Sequence, residues 1–221
     1  MSVTNPFLSI ILPAHNEAQR LPESLDKIQA FILDNQLDCE VLVIENASSD
    51  ATFRLAQARQ AGFEQMRVIH LDRPGKGNAI RTGMLAAGGK FRFMADVDLS
   101  MPVEEMLNFL PPVLEHPQVA IASREKAGSK RIGEPLHRHL VGRIFNFLVR
   151  ILVLPGIQDT QCGFKCFSAE AAQDIFSAQT LEGWSFDVEL LAIARERGYE
   201  ITEVPITWFY KPGSRMHLLR D

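Results

Sequence analysis

Four times in succession, a short apolar run of about five residues gives way to a loop and then to a stretch with helical spacing. Leu8-Ser9-Ile10-Ile11-Leu12, Glu40-Val41-Leu42-Val43-Ile44, Arg67-Val68-Ile69-His70-Leu71 and Phe91-Arg92-Phe93-Met94-Ala95 are the apolar runs. Helical spacing follows over residues 21–35, 51–61 and 79–87, and again over 103–110 beyond Pro102. Pro22 suits a first helical turn, and Gly62 and Gly88-Gly89 stop two of the helices. Strands that alternate with helices can bury both their faces only in a parallel sheet covered on each side, so the expected class is α/β and doubly wound.

Beyond residue 100, a fifth strand is expected at 119–123 and an amphipathic helix at 136–154, ended by Pro155-Gly156. Further helices are expected at 169–176 and 186–197, and a last strand at 201–209. Residues 125–135 hold two glycines, a proline and basic residues with little periodicity, and read as a mobile lid-length loop. A chain of 221 residues fits a single domain of this kind.

Composition removes several function classes. A net charge of −4 and the absence of an RNA-binding motif exclude bulk nucleic-acid binding. Cys39, Cys162 and Cys166 are odd in number, which favours reduced thiols. Cys162 and Cys166 lack the second pair that a zinc site would need. Residues 1–5 show no basic region leading into an apolar run, so no secretory leader is expected. No stretch of about 20 apolar residues is free of charge, so no spanning helix is expected either.

The chemistry gathers at strand ends, where ligands of open α/β sheets bind. The fourth strand runs into Asp96-Val97-Asp98, two carboxylates suited to a divalent cation that also holds phosphate oxygens. Pro74-Gly75-Lys76-Gly77-Asn78-Ala79-Ile80-Arg81 is a glycine-lysine turn suited to a phosphate, with Lys76 and Arg81 offsetting its charge. Pro13-Ala14-His15-Asn16-Glu17 follows the first strand, and Glu45-Asn46-Ala47-Ser48-Ser49-Asp50 the second. Glu17 and Glu45 are expected to be ligands for ribose or base, and Asp50 mainly a helix cap.

With these motifs in order, the chain resembles the family 2 glycosyltransferases of the GT-A fold over nearly its whole length. One departure is Glu45-Asn46, where the family has Asp-Asp. Asp159-Thr160-Gln161-Cys162-Gly163-Phe164-Lys165 and Trp184-Ser185-Phe186-Asp187-Val188-Glu189-Leu190-Leu191 resemble the dolichyl-phosphate β-glucosyltransferase branch; polyprenyl-phosphate mannose synthases share the frame more loosely. The resemblance implies a nucleotide-sugar-binding half over 1–100 and an acceptor-binding half over 101–221. It implies an inverting, metal-assisted transfer of a sugar from a nucleoside diphosphate donor, UDP-glucose favoured, to a polyprenyl or dolichyl phosphate. GDP-mannose as donor, a polysaccharide acceptor, a sugar nucleotidyltransferase and a non-catalytic relative are the alternatives. Polysaccharide polymerases usually carry several spanning helices, and the nucleotidyltransferases a glycine-rich loop after the first strand, which residues 13–17 lack.

By the same resemblance, Pro13, Ala14, Glu17, Glu45, Lys76, Arg81 and Asp96 would bind the donor. Asp96 and Asp98, with Ser100 as a third oxygen, would hold Mg²⁺ or Mn²⁺. Arg124 and Arg138 would hold the acceptor phosphate, with Arg143 standing in for a hydroxyl lost at Gly142. Asp159 would orient an arginine or act as a weak base; Asp187 either caps a helix or lines the site. Residues 140–154 carry Arg143 and Arg150 on one helix face and fit an interfacial helix. Lys211, Arg215 and Arg220 form a further basic patch, and Gly213-Ser214-Arg215 resembles a family segment that closes over the donor. The implied setting is cytoplasmic, peripheral at the cytoplasmic face of a membrane.

Overall fold

The structure, a computed structural model, describes residues 5–135, 149 and 151–211. Seven strands form one sheet in the order β3-β2-β1-β4-β7-β5-β8. Its first half is β1 (Leu8–Ala14), β2 (Cys39–Asn46), β3 (Met66–Leu71) and β4 (Phe91–Met94), all parallel. They are linked through α1 (Leu21–Asp34), α2 (Thr52–Gln60) and α3 (Lys76–Ala86).

The second half extends this sheet. β5 (Val119–Ser123) and β8 (Ile201–Pro205) pair parallel, while β7 (Lys165–Ser168) lies antiparallel between β4 and β5. Helices α4 (Ala169–Ala178) and α5 (Phe186–Glu196) connect β7 to β8. A short parallel ribbon of β6 (Lys130–Ile132) and β9 (Thr207–Phe209) stands apart.

Burial explains the apolar runs. Ile10 and Leu12 of β1 face one core with Leu25 and Ile28 of α1, while Ile11 faces the other with Ile80 and Met84 of α3. A central parallel strand must be apolar on both faces, which is why these runs do not alternate. Gly83 lets α3 lie against β1 and β2, because a Cβ there would overlap Ile11 and Ile44. Phe93 is fixed edge-on between Phe109 and Phe164, with ring centroids 5.2 and 5.1 Å away.

Four expectations need correction. Residues 103–109 form a 3₁₀ helix rather than an α-helix, confined between Pro102 and Pro111. The last strand is two strands, broken at buried Ile206, and β9 leaves the main sheet to pair with β6. β7 was not foreseen, since its first residue is a lysine and its charge hides a strand. The expected lid loop contains β6, and Arg131 within it pairs with Glu125 at 2.5 Å and with Glu134 at 2.6 Å. Most of the expected amphipathic helix, residues 136–148 and 150, lies outside the described residues. Of its end, Val149 and Leu154 are buried while Ile151, Leu152 and Val153 are exposed.

Candidate active site

The carboxyl ends of β1, β2, β4 and β5 open on one cleft of about 630 Å³, within the range of small-ligand sites. Backbone strain collects at its rim. Asn16, Ala47 and Leu99, each in a loop following one of these strands, have φ of 53°, 52° and 44°.

Asp96 and Asp98 both line the cleft. Val97 between them is buried, and its carbonyl accepts a 2.5 Å bond from the Ser24 hydroxyl of α1. One apolar residue thus pins the loop and leaves two carboxylates free to face the cleft. Asp98 Oδ1 accepts the Ser100 N–H at 2.9 Å, and the Lys211 ammonium bonds the Asp98 carbonyl. Asp96 Oδ1 is 2.7 Å from Lys76 Nζ, which also lies 4.9 Å from the Trp184 ring centroid.

The pair is electrostatically stable. Burial disfavours the Lys76 ammonium, but Asp96, with Asp187 and Asp98 behind it, outweighs that cost and raises its pKa. Burial likewise pushes the Asp96 carboxyl up, yet Lys76 and more distant Lys165 and Arg124 hold it below the usual range. Both groups stay charged at neutral pH. Asp96 is hemmed in from one side, since a Cβ on Gly163 would overlap its carboxylate.

Arg124 lines the same cleft and is clamped by Asp159. Nε donates to Oδ2 at 2.6 Å, Nη2 to Oδ1 at 2.8 Å and the backbone N–H to Oδ2 at 3.0 Å. Asp159 is fully buried; burial pushes its pKa up, but Arg124 overrides this and lowers it to about 2. Both Asp159 oxygens are thus taken up by Arg124, and the pair fixes where the guanidinium lies. The Arg124 guanidinium lies 5.6 Å from the Trp208 ring centroid. Buried Lys165 bonds the Cys162 carbonyl at 2.7 Å and Asp187 Oδ1 at 2.5 Å. Asp187 thus sits in the first turn of α5, where the helix cap is Ser185, and reaches the cleft.

Pro13, Glu17, Lys76, Asp96, Asp98, Ser100 and Arg124 all line the cleft as expected. Glu17 is paired with Arg20 at 2.8 Å. Other expectations are not met. Glu45 is fully buried, with Oε1 accepting the Ser48 N–H at 2.6 Å and Oε2 bonded to His70, so it shapes the loop; its neighbour Asn46 reaches the cleft instead. Ala14 is buried and does not line the cleft. Arg81 donates to the Phe176 carbonyl at 3.1 Å, because five residues along a helix turn it about 140° from Lys76. The N–H groups of Gly75 and Gly77 are donated to Asn46 Oδ1 at 3.0 Å and the Glu182 carbonyl at 2.8 Å, so the turn offers the cleft its lysine rather than its backbone. Asp50 accepts from Thr52 N–H at 2.9 Å and Ala18 N–H at 3.2 Å, stapling two rim loops as well as serving α2. Arg138, Gly142, Arg143, Gly213, Ser214, Arg215 and Arg220 lie outside the described residues.

Sequence reasoning did not single out Trp208, Tyr210 or Asn46, which also line the cleft. Trp208 and Tyr210 alternate with exposed Phe209, a period-two signal. Among the described residues no group of three or more His, Cys, Asp or Glu side chains is poised to hold a metal, and no helix is long and apolar enough to cross a membrane.

Comparison with known proteins agrees with this geometry. Curated relatives include a dolichyl-phosphate β-glucosyltransferase of Drosophila melanogaster, 36% identical over 95% of this chain and 69% of that protein. One of the same name from Saccharomyces cerevisiae is 32% identical over 97% of this chain and 70% of its own length. Among solved structures, glucosyl-3-phosphoglycerate synthase of Mycobacterium tuberculosis in complex with UDP matches 97% of this chain and 74% of that one, with TM-score 0.67 and 22% identity. The same enzyme with Mn²⁺ and UDP-glucose matches with TM-score 0.66 and 20% identity, over 97% of this chain and 73% of that one. The fold is therefore that of the GT-A glycosyltransferases. Residues 9–176 match glycosyl transferase family 2, and the chain belongs to that family.

Proposed function

We propose that this glycosyltransferase moves glucose from UDP-glucose to a dolichyl or related polyprenyl phosphate, with inversion at the anomeric carbon. The observation that carries the reading is one cleft lined by Asp96, Asp98 and Lys76 together with the Asp159-clamped Arg124. Such a cleft suits two phosphorylated substrates, a donor diphosphate and an acceptor phosphate. The names of the curated relatives support the same donor–acceptor pair. Residues 1–100 then serve mainly the donor and residues 101–221 mainly the acceptor.

Asp96 and Asp98 are hard oxygen ligands, and Asp96 is kept ionised, so the donor set fits Mg²⁺ or Mn²⁺, with the Ser100 hydroxyl as a third oxygen. Bound there, the cation supplies charge stabilisation to the departing diphosphate. Lys76 meets the remaining phosphate charge, and Glu17 and Asn46 serve the nucleoside. Arg124 presents its guanidinium to the acceptor phosphate in a fixed orientation, since Asp159 and Trp208 hold it.

The acceptor needs no base, because a phosphate monoester with a second pKa of ~6 is already largely dianionic at neutral pH. Its oxygen attacks the anomeric carbon as the bond to the diphosphate breaks on the opposite face, and the electron pair leaves on UDP. Trp184 and Trp208, both lining the cleft, help to exclude water from it. Exposed Ile151, Leu152 and Val153 support contact with the membrane that holds the lipid.

A donor panel tests this. The protein, Mg²⁺ or Mn²⁺ and a short polyprenyl phosphate are incubated with UDP-glucose, UDP-GlcNAc or GDP-mannose, and the lipid phase is analysed by mass. A glucosyl lipid phosphate from UDP-glucose is expected. A product from GDP-mannose alone overturns the donor, and metal-dependent donor hydrolysis without lipid product overturns the acceptor.

A further inference from the structure

Asp96 meets an ammonium where a cation ligand is needed. Its Oδ1 carries Lys76 Nζ at 2.7 Å, and the Gly163 backbone blocks the space beside Oδ2. The Asp96 side chain is 34% exposed, so an incoming cation can reach it, but only in competition with Lys76. The Lys76 backbone is fixed, because the N–H groups on either side are bonded to Asn46 and Glu182. Its side chain is a flexible four-carbon stem that can swing from that fixed root. The Trp184 ring beneath the ammonium gives it a neutral surface along which to move.

We propose that Lys76 is an internal counter-ion which a divalent cation must displace from Asp96 and which the donor diphosphate then takes over. Lys76 thereby couples the cation to the nucleotide. The proposal rests on the donor-and-cation reading above. Without nucleotide, cation binding breaks the Lys76–Asp96 pair and leaves the ammonium beside a new positive charge. With nucleotide, the ammonium exchanges one anion for another, and the carboxylate is released to the cation. Coupling is reciprocal, so each ligand tightens the other by the same factor.

Lys211 supplies a control. It lines the same cleft, but its ammonium bonds the Asp98 carbonyl rather than a carboxylate. Removing either lysine deletes one positive charge from the cleft; only Lys76→Met also frees a cation ligand.

Mn²⁺ binding, read from the resonance of the free ion, is measured with and without UDP for the native chain, Lys76→Met and Lys211→Met. Lys76→Met is expected to bind Mn²⁺ alone at least about fivefold more tightly than the native chain. Its gain should exceed that of Lys211→Met, and the factor by which UDP tightens Mn²⁺ should fall. Equal gains in the two variants, or an unchanged UDP factor, overturn the handover. Mn²⁺ bound by no form, with or without UDP, overturns the donor-and-cation reading itself.

A second measurement avoids altering Lys76. In Trp208→Phe only Trp184 remains to fluoresce, and its emission should change when Mg²⁺ and UDP draw Lys76 from Asp96. Unchanged emission, with UDP binding shown separately, overturns the handover.

Discussion

Asp159, itself fully buried, holds Arg124 at three points, by two guanidinium bonds of 2.6 and 2.8 Å and a backbone bond of 3.0 Å. The carboxylate sets where the arginine points. Removing Asp159 leaves the partly exposed Arg124 without its charged partner, so Asp159→Asn should cost about 2 kcal/mol of stability, read by urea unfolding. The same variant should raise KM for the lipid acceptor more than KM for the donor. An equal rise in both would remove Arg124 from the acceptor side.

The same pair predicts an acid limb. The Asp159 pKa is lowered to about 2 in the folded chain, because Arg124 outweighs the effect of burial. A depressed carboxylate stabilises the fold above its unfolded pKa of ~3.9, and that stability is lost as pH falls through the folded value. Between roughly pH 4 and 2 the native chain should lose about 2 kcal/mol that Asp159→Asn does not lose. Denaturant midpoints for both chains across this window provide the check; parallel curves would contradict it.

Asp98→Asn keeps an acceptor for the Ser100 N–H but removes a charge from the cleft. Turnover with UDP-glucose should fall by at least about 10²-fold with folding intact by circular dichroism. Full activity in the absence of added metal would contradict a metal-assisted transfer.

Gly163→Ala places a methyl group on the Asp96 carboxylate. The carboxylate must move off Gly163, and kcat/KM for the donor should drop at least about tenfold, since displacements near 1 Å carry losses of that order or larger. The activity ratio of the two chains at subsaturating donor reads it directly.

Arg81→Met and Lys76→Met should part company. Arg81 serves the Phe176 carbonyl, so its loss should cost about 1 kcal/mol of stability and leave KM for the donor within about twofold. Lys76→Met should change donor kinetics. A donor KM raised alike in both would return Arg81 to the cleft.

How far the sequence could be read follows from what each signal depends on. The apolar runs of β1, β2 and β4 were legible because central parallel strands are buried on both faces. The Asp96-Val97-Asp98 loop was legible because a strand end fixes its neighbourhood. Glu45 and Arg81 were misread because the chemistry of a side chain does not reveal what it is buried against. Glu45 follows an apolar run and could have faced the cleft, but His70 on the adjacent strand β3 and the Ser48 N–H claim it. β7 was hidden because Lys165 looks like a surface residue, and Asp187, 22 positions later, joins the Cys162 carbonyl in making its burial tolerable.

The sequence alone determined the parallel half of the sheet, the order of the loops at its carboxyl edge and the residue types on offer there. Those features depend on periodicity, turn residues and local spacing, which operate over a few positions. Tertiary structure alone decided the antiparallel insertion of β7, the transfer of β9 to β6 and the partners of each charge. Arg124 with Asp159, Lys76 with Asp96 and Lys165 with Asp187 are each separated by 20 to 35 positions in the chain. Whether a carboxylate binds, orients or merely neutralises depends on which charge is packed against it, and only the packed sheet brings those charges together.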